Sequence, residues 1–554
     1  MINHICLTEV FVLLLLRMDL QVNATVDETS PAQTSRPEKK VETEDGASET
    51  NPQVDTASPA FLGKLLVVPP DGSHWVGIKA IAEEMGRRGH KVTVVIPEIS
   101  LTLGPGKHYD TVTFPVPYDK AHLDFVMCTY RTKVVELTQL KAQFLHLQQK
   151  LLPLYHMTAE SLLFNASLIS HLEQQGFDAL LTDPIIPTGT IVARKLGLPT
   201  INLLRSIPCS LDMRSAGCPS PPSYVPRFFT SYTDKMNFKQ RLLNTVVSFL
   251  EPLMCQLLYW QFDNMAHQFL GDEVSTAQML SDTDIWLLRF DFTLDFPRPL
   301  MPNFIIVGGI NCKVRTPLSE DLESWVSEKQ GFVVFALGTM VSHMPEEITS
   351  VFLQAFKQIP QKVIWRYTGQ VPGNVPENVK IMTWIPQNDL LAHPGARAFI
   401  THAGSHSLFE GLCHAVPMVM LPIQWDQTDN AHRLASRGAG VVFDIYSMSS
   451  EDLVLGLNEV INKTRCKENI QKLSILHKDR PVEPLNLSVY WTEFVMRHKG
   501  AKHLKAAVSH LNWFQYFCLD VVALLAFVGL VSIGLTVKCF KLCLRKVSGK
   551  RKLD

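Results

Sequence analysis

Short apolar runs, each closed by a turn, recur in two series along the chain, and nothing else constrains its fold as much. The first series opens with Lys64–Pro69 (KLLVVP), then the turn Asp71-Gly-Ser-His74 and a helix-like stretch from Trp75 to about Arg88. Gly89-His90 break that helix before a second run, Lys91–Ile96. Ala179–Thr182, Asp183-Pro184, the helix-like Ile191–Leu196 and Leu198–Leu204 repeat the pattern. Runs that are apolar throughout belong to strands buried on both faces, as in parallel sheets covered by helices. The series pauses at Pro297–Pro302 and restarts with Phe304–Val307, Phe332–Leu337, Lys362–Arg366, Ala398–Thr401, Val416–Leu421 and Gly440–Phe443. The fold class is therefore α/β, in two sequential halves joined near residue 300, with a cleft between them suited to ligands. A length of 554 residues accommodates two such domains with appendages.

The appendages place the chain at a membrane. Val521–Val537 carries no charge, Phe514–Leu519 lengthen the run, and Trp513, Phe514 and Tyr516 supply an interfacial aromatic belt. Seven basic side chains and no acidic one follow between Lys538 and Lys552. By the positive-inside rule that tail is cytoplasmic and the large N-terminal body lies across the membrane. Residues 513–537 are thus expected to form a transmembrane helix and 538–554 a basic cytoplasmic tail. At the other end Val10–Leu16 makes a short apolar core, and Val22-Asn23-Ala24 offers a cleavage site, so 1–24 reads as a signal peptide, although Glu9 and Arg17 flank the core closely. From Thr25 to Ala60 there is no aromatic residue and no apolar period, and 25–61 is expected to be a disordered linker. Asn165, Asn462 and Asn486 open glycosylation sequons compatible with a lumenal body. The net charge of −1 leaves no basic excess to attract nucleic acid. Eleven irregularly spaced cysteines show no ligand pattern; no metal site is assigned, and Cys209–Cys218 is offered only as a candidate disulfide.

The second half carries the densest chemistry. After the run ending at Thr401 come His402, Ala403, Gly404 and Ser405, with a helix starting near His406. Small residues let backbone approach a ligand, and N–H groups at a helix N-terminus favour a phosphate. His402 and Ser405 add hydrogen bonds, Glu410 suits a ribose hydroxyl, and Asp426-Gln427 suit sugar hydroxyls. In the first half His74 and Asp183 both follow strand C-termini, where open α/β sheets place ligands. A histidine supplies a base of near-neutral pKa, and a carboxylate on its other nitrogen fixes the tautomer.

The ordered string FITHAGSH…FEG…VPMVMLP…DQ resembles the UDP-glucuronosyltransferases of the UDP-glycosyltransferase superfamily. VVFALGTM, WIPQNDLLAHP, HKDRPVEPL and EFVMRHKGAKHL are also family-like, and the likeness covers essentially Leu62–Asp554. It implies a GT-B architecture: two Rossmann-like domains facing a cleft, 62–300 binding the acceptor and 301–512, with closing helices, binding the UDP-sugar. It implies His74 as general base assisted by Asp183, and Trp384 and Gln387 on the uracil. Glu410 would hold the ribose, and Thr339, His402, Gly404, Ser405 and His406 the diphosphate. Asp426 and Gln427 would hold the sugar, and Arg289 would meet a glucuronate carboxylate. The implied reaction transfers glucuronic acid from UDP-glucuronate, as co-substrate and with no further cofactor, to hydroxyls of small lipophilic acceptors with inversion. Lys550 and Lys552 resemble a dilysine retrieval signal, or else a basic stop-transfer flank, and the expected location is the endoplasmic-reticulum membrane, single-pass. Homo- or hetero-oligomers with relatives are a further expectation.

Three departures qualify the likeness. An acidic, polar insert (Val22–Ala60) separates the signal from the first strand; Gln424-Trp425 precede Asp426, where relatives carry Phe and a small residue; and Ser407 and Phe409 replace Gly and Tyr. Trp425 keeps open another donor, such as UDP-glucose or UDP-galactose, and a non-catalytic hetero-oligomer partner is the rival from another class. Residues from about Leu101 to Leu172 are expected to line an apolar acceptor pocket, with Leu137–Leu154 as core or as a membrane-resting surface.

Overall fold

A computed structural model describes residues 61–136, 147–338, 341, 344–370 and 373–550. The expected signal peptide, the linker up to residue 60, Thr339, Lys552 and part of the Leu137–Leu154 stretch lie outside the described residues.

The first sheet has seven parallel strands: β1 (Lys64–Val68), β2 (Lys91–Pro97), β3 (Asp110–Phe114), β4 (Ala179–Thr182), β5 (Thr200–Leu204), β6 (Ile285–Leu288) and β7 (Phe304–Ile306), in the order β3-β2-β1-β4-β5-β6-β7. The second has six: β8 (Phe332–Ala336), β9 (Lys362–Arg366), β10 (Val379–Met382), β11 (Ala396–Thr401), β12 (Met418–Met420) and β13 (Gly440–Val442), in the order β10-β9-β8-β11-β12-β13. The continuous apolar runs are continuous because both faces are covered: every residue of β4, β5, β6 and β8 is buried. Helices such as Trp75–Arg87 lay Ile78, Ile81 and Met85 onto one face of the first sheet.

Phe304–Val307, expected to open the second half, is instead the last strand of the first sheet, pairing with β6. The proline-rich Pro297–Pro302 is a crossover within the first domain. Strands β3, β6 and β10 escaped the reading because DTVTF alternates like an edge strand, and IWLL and VKIM are too short to declare themselves. Near the chain's end the helix Pro484–His498 returns to the first domain, seating Val489, Val495 and Met496 among Leu65, Ile78 and Ile201.

The suggested Cys209–Cys218 pair is not formed. Cys209 is bonded to Cys255, and Cys218 is buried and free. Cys255 lies on the 33-residue helix Phe238–Leu270, which packs back over the loop holding Cys209; spacing along the chain carries no trace of that return. A second disulfide joins Cys312 to Cys413.

The C-terminal apolar segment is one helix, Leu519–Lys550, whose Leu519–Leu544 portion is long and apolar enough to cross a membrane and is buried nowhere in the body. It continues past residue 537 through Lys538 and Lys541, while Trp513–Tyr516 form a separate turn of helix before it.

Candidate active site between the two sheets

Each sheet reverses its strand order once, between β1 and β4 in the first and between β8 and β11 in the second. Crevices open outside strand C-termini at such points. The described catalytic and donor-site candidates come after strand C-termini: His74 after β1, Asp183 after β4, Arg289 after β6, Trp384 after β10, His402 after β11 and Asp426 after β12.

Beyond β1, Asp71 accepts from the N–H groups of Leu101 and Thr102 at 2.6 and 3.0 Å and from Gly72 N–H at 2.7 Å. Gly72 has φ +87°, which favours glycine, and the single turn Gly72–His74 delivers His74 to the crevice. β4 runs alongside in register, Val68 opposite Thr182, so Asp183 emerges next to it. His74 Nδ1 lies 2.7 Å from Asp183 Oδ2; the Asp183 side chain is 1% exposed and that of His74 35%. The other Asp183 oxygen accepts from Ile185 N–H at 3.0 Å. A buried carboxylate holding Nδ1–H makes Nε2 the basic nitrogen of the ring.

In the second sheet His402 leaves β11 facing Gly338 beyond β8. A Cβ on Gly338 would stand 2.6 Å from the His402 ring and one on Gly404 2.5 Å, so both glycines are set by the imidazole between them. Ala403 takes φ +61°, and the helix Ser405–Cys413 opens with no side-chain cap. Ser405 Oγ and His402 Nδ1 are buried without a hydrogen-bond partner. Burial pushes His402 down to about 4, so its ring is neutral. Uncapped N–H groups and orphaned polar atoms at a helix N-terminus form a site for an anion.

One helical turn on, Glu410 accepts from Gln387 Nε2 at 2.6 Å, with Ser407 Oγ 3.3 Å from the same nitrogen. Trp384 is 68% exposed, an unusual cost for an indole unless something stacks on it, and the Arg366 guanidinium lies 5.6 Å from its centroid. Burial raises the Glu410 carboxyl to about 7, despite the hydrogen bond from Gln387. A carboxyl whose folded pKa exceeds its unfolded value costs stability as it ionises; the cost grows from about pH 4.5 to pH 7 and is constant above. Glu410→Gln is therefore expected to melt above the wild type at pH 8, the gain vanishing near pH 4.5, in thermal denaturation without donor. Its UDP affinity is expected to fall by about tenfold, one charge-assisted hydrogen bond.

His406 bridges the domains. Its Nδ1 is 2.6 Å from Asn311 Nδ2, and its Nε2 is 3.0 Å from the Ser73 carbonyl and within reach of Arg289. Burial first, then the Arg289 charge, hold His406 well below the usual range. With Asn311 donating to Nδ1, Nε2 carries the proton and donates to Ser73, which leaves Arg289 to seek another acceptor. Arg289 is 6% exposed and its Nε has no partner. It lines a small cleft with Asn311, Ser405, His406 and Glu410. Asp426 accepts from Asn430 Nδ2 at 2.7 Å. Gln427 Oε1 accepts from Ile423 and Gln424 N–H at 2.8 and 3.0 Å, so that oxygen shapes the loop carrying Trp425, which sits at φ +56°.

Beside the turn that carries His74, and lined in part by its Asp71, lies an apolar cavity. Leu101, Leu103, Phe114, Leu123, Met127 and Leu154 line it, from the stretch expected to do so, with Tyr118, Tyr155 and Thr158 as polar points. Sequence reading missed Ser73, Asn311 and Arg366, whose parts depend on contacts between segments far apart in the chain. It also missed Arg205, which carries Asp295 on one side and Asn430 Oδ1 at 3.0 Å on the other, closing the back of the cleft.

Comparison with known proteins converges. A sequence model of the family described as UDP-glucoronosyl and UDP-glucosyl transferase matches residues 63–553. Human UDP-glucuronosyltransferase 1A6 is 45% identical over 493 residues, 88% of this chain and 93% of the relative. Rat UDP-glucuronosyltransferase 1A1 is 44% identical over 499 residues, 89% and 93% of the two chains. Among solved structures, the spinosyn forosaminyltransferase SpnP superposes with TM-score 0.56 at 18% identity, over 79% of this chain and 100% of its own. Os79 of O. sativa, solved in complex with UDP, gives 0.53 at 18% identity, over 78% and 99%. At such identities the likeness is one of fold, and that fold is GT-B.

Proposed function

The chain belongs to the UDP-glucoronosyl and UDP-glucosyl transferase family, and from that premise we propose that it transfers glucuronic acid from UDP-glucuronate to hydroxyls of small lipophilic acceptors. The observation that carries this reading is the His74–Asp183 pair, 2.7 Å apart, in a turn whose Asp71 lines an apolar cavity and whose Ser73 carbonyl meets His406 of the helix that opens at Ser405. The acceptor lies in that cavity with its hydroxyl toward His74. Nε2 takes the hydroxyl proton, and Asp183 stabilises the imidazolium that forms. The acceptor oxygen attacks the anomeric carbon from the side opposite UDP; a C–O bond forms as the bond to the β-phosphate oxygen breaks, and configuration inverts. The leaving diphosphate is met by the N–H groups at Ser405, the Ser405 hydroxyl and His402. Trp384 stacks on uracil, Gln387 bonds to it, Glu410 accepts from the ribose, and Asp426 with the Gln427 amide nitrogen holds sugar hydroxyls. Thr339 is proposed at the diphosphate on the family likeness alone. Arg289, buried and short of an acceptor, pairs with the glucuronate carboxylate.

The C-terminal apolar helix anchors the enzyme in the endoplasmic-reticulum membrane with the body lumenal. The test uses microsomes expressing the chain, opened with mild detergent and given phenols and steroids with UDP-glucuronate, UDP-glucose, UDP-galactose or UDP-N-acetylglucosamine. Conjugates are expected with UDP-glucuronate; products from a neutral sugar alone would overturn the donor assignment. Arg289→Met is expected to raise KM for UDP-glucuronate by about 10–100-fold, the worth of a buried charge-assisted pair, and to leave UDP affinity within about twofold. Equal loss for UDP would make Arg289 a diphosphate ligand.

A further inference from the structure

The helix Phe238–Leu270 buries Met254, Tyr259 and Phe262 but turns a second set of large apolar side chains outward. At 100° per residue its buried positions Asn244, Glu251, Cys255 and Phe262 fall along one face. Phe238, Leu242, Val246, Phe249 and Trp260 fall along the opposite face, and they are 71, 58, 39, 79 and 40% exposed. This stripe runs about 33 Å at 1.5 Å per residue. Exposed Lys239 and Arg241 project on either side of it, and Lys235 lies just before the helix. An apolar face flanked by basic side chains is the pattern of a helix lying in the headgroup region of a bilayer. The helix is long and apolar enough to span a membrane, but Met254, Tyr259 and Phe262 are packed into the first domain, so it lies along a membrane instead of crossing it.

The fold also puts this stripe near the membrane entry. Val508 comes just before the aromatic turn Trp513–Tyr516 and the spanning helix, and it packs so closely on Gly217 that a Cβ there would be 1.9 Å from it. The segment after Gly217 is tied to the long helix by Asn244, whose Nδ2 donates to the carbonyls of Pro222 and Val225 at 2.6 and 2.9 Å and whose Oδ1 accepts from Arg227 N–H at 2.8 Å. The same helix backs the acceptor cavity: Phe262 meets His156 edge-on at 4.8 Å, on the helix Leu152–Leu163 that lends Leu154, Tyr155 and Thr158 to the cavity wall.

We propose that the Phe238/Leu242/Val246/Phe249 face is seated in the leaflet that the C-terminal helix enters, and that it brings the acceptor cavity to lipid-dissolved acceptors. This rests on the membrane-anchored reading above. The test places a photoreactive phenylalanine analogue at Phe249, or at Leu242, in the full chain reconstituted in vesicles of phosphatidylcholine with one-fifth phosphatidylserine. The exposed position Lys472 serves as control. Phospholipid adducts at 249 and 242 and none at 472 are the expected result. Cross-linking to a second copy of the chain, adducts equally strong at 472, or no adduct at all would each overturn the proposal. As a second reading, Leu242→Glu/Phe249→Glu is expected to raise KM for a membrane-partitioning acceptor by about tenfold, with kcat, UDP affinity and KM for a water-soluble phenol unchanged. An unchanged KM for the membrane-partitioning acceptor, or an equal rise for both acceptors, overturns it. Alkaline carbonate extraction of the wild type tests the anchor separately: a chain that stays in the pellet yet forms no lipid adduct refutes the seated helix alone, and a released chain refutes the anchor.

Discussion

His74→Ala is expected to lower kcat for glucuronide formation by about 10²–10⁴-fold, the range a positioned general base contributes, with UDP affinity within about twofold of wild type. The second half is expected because the uridine and diphosphate groups are proposed to sit on β8–β13 and their loops, and among the described residues the hydrogen bond from that region to the His74 turn is the one from His406 to the Ser73 carbonyl at 3.0 Å. Single-turnover transfer and UDP titration calorimetry on the same preparation separate the effects. Loss of both together would make His74 a structural link between domains. Asp183→Asn is the companion variant. It keeps the shape of a side chain that is 1% exposed, but can present an amide N–H to Nδ1 and so favour the wrong tautomer. Its kcat is expected to fall by a factor of the same order, while the melting temperature stays near that of wild type.

Asp291→Ala should be among the most destabilising single substitutions in the body, at about 3–5 kcal/mol. Asp291 is wholly buried just after β6, and its Oδ2 meets His477 Nδ1 at 2.7 Å and the Arg480 guanidinium. Its other oxygen accepts from Thr293 N–H at 2.8 Å. Burial works to raise this carboxyl, but the hydrogen bond from His477 and the charge of Arg480 outweigh it and the pKa is lowered. Removing the carboxylate strands the Arg480 cation in a site where it is 8% exposed. A fall of roughly 10 °C in the melting midpoint is the expected reading by differential scanning fluorimetry in detergent. The double variant Asp291→Leu/Arg480→Met, which removes both charges, should recover more than half of that loss. Equal melting of the single variant and wild type would mean that water reaches the cluster and screens it.

What the sequence determined by itself is local. An uninterrupted apolar run such as KLLVV is satisfied by burial on both faces, so the parallel sheets are legible in the sequence. The stretch from Thr401 to Glu410 carries its geometry within ten residues: strand end, small residues, helix start, and an acid one turn on. That local geometry, and the positions of His74 and Asp183 after strand ends, could therefore be read from the residues alone. The tertiary structure alone decided which distant segments meet. Register between β1 and β4 sets the 2.7 Å contact across 109 residues, and closure of the cleft sets His406 on Ser73 across 333. Chain return assigns Phe304–Ile306 to the first sheet, brings Cys255 to Cys209, and turns the apolar face of Phe238–Leu270 outward. A residue's spacing along the chain records its own helix or strand and not the partner that arrives from elsewhere. Such contacts follow from how whole elements share one core, a property of the packed molecule and not of any one segment.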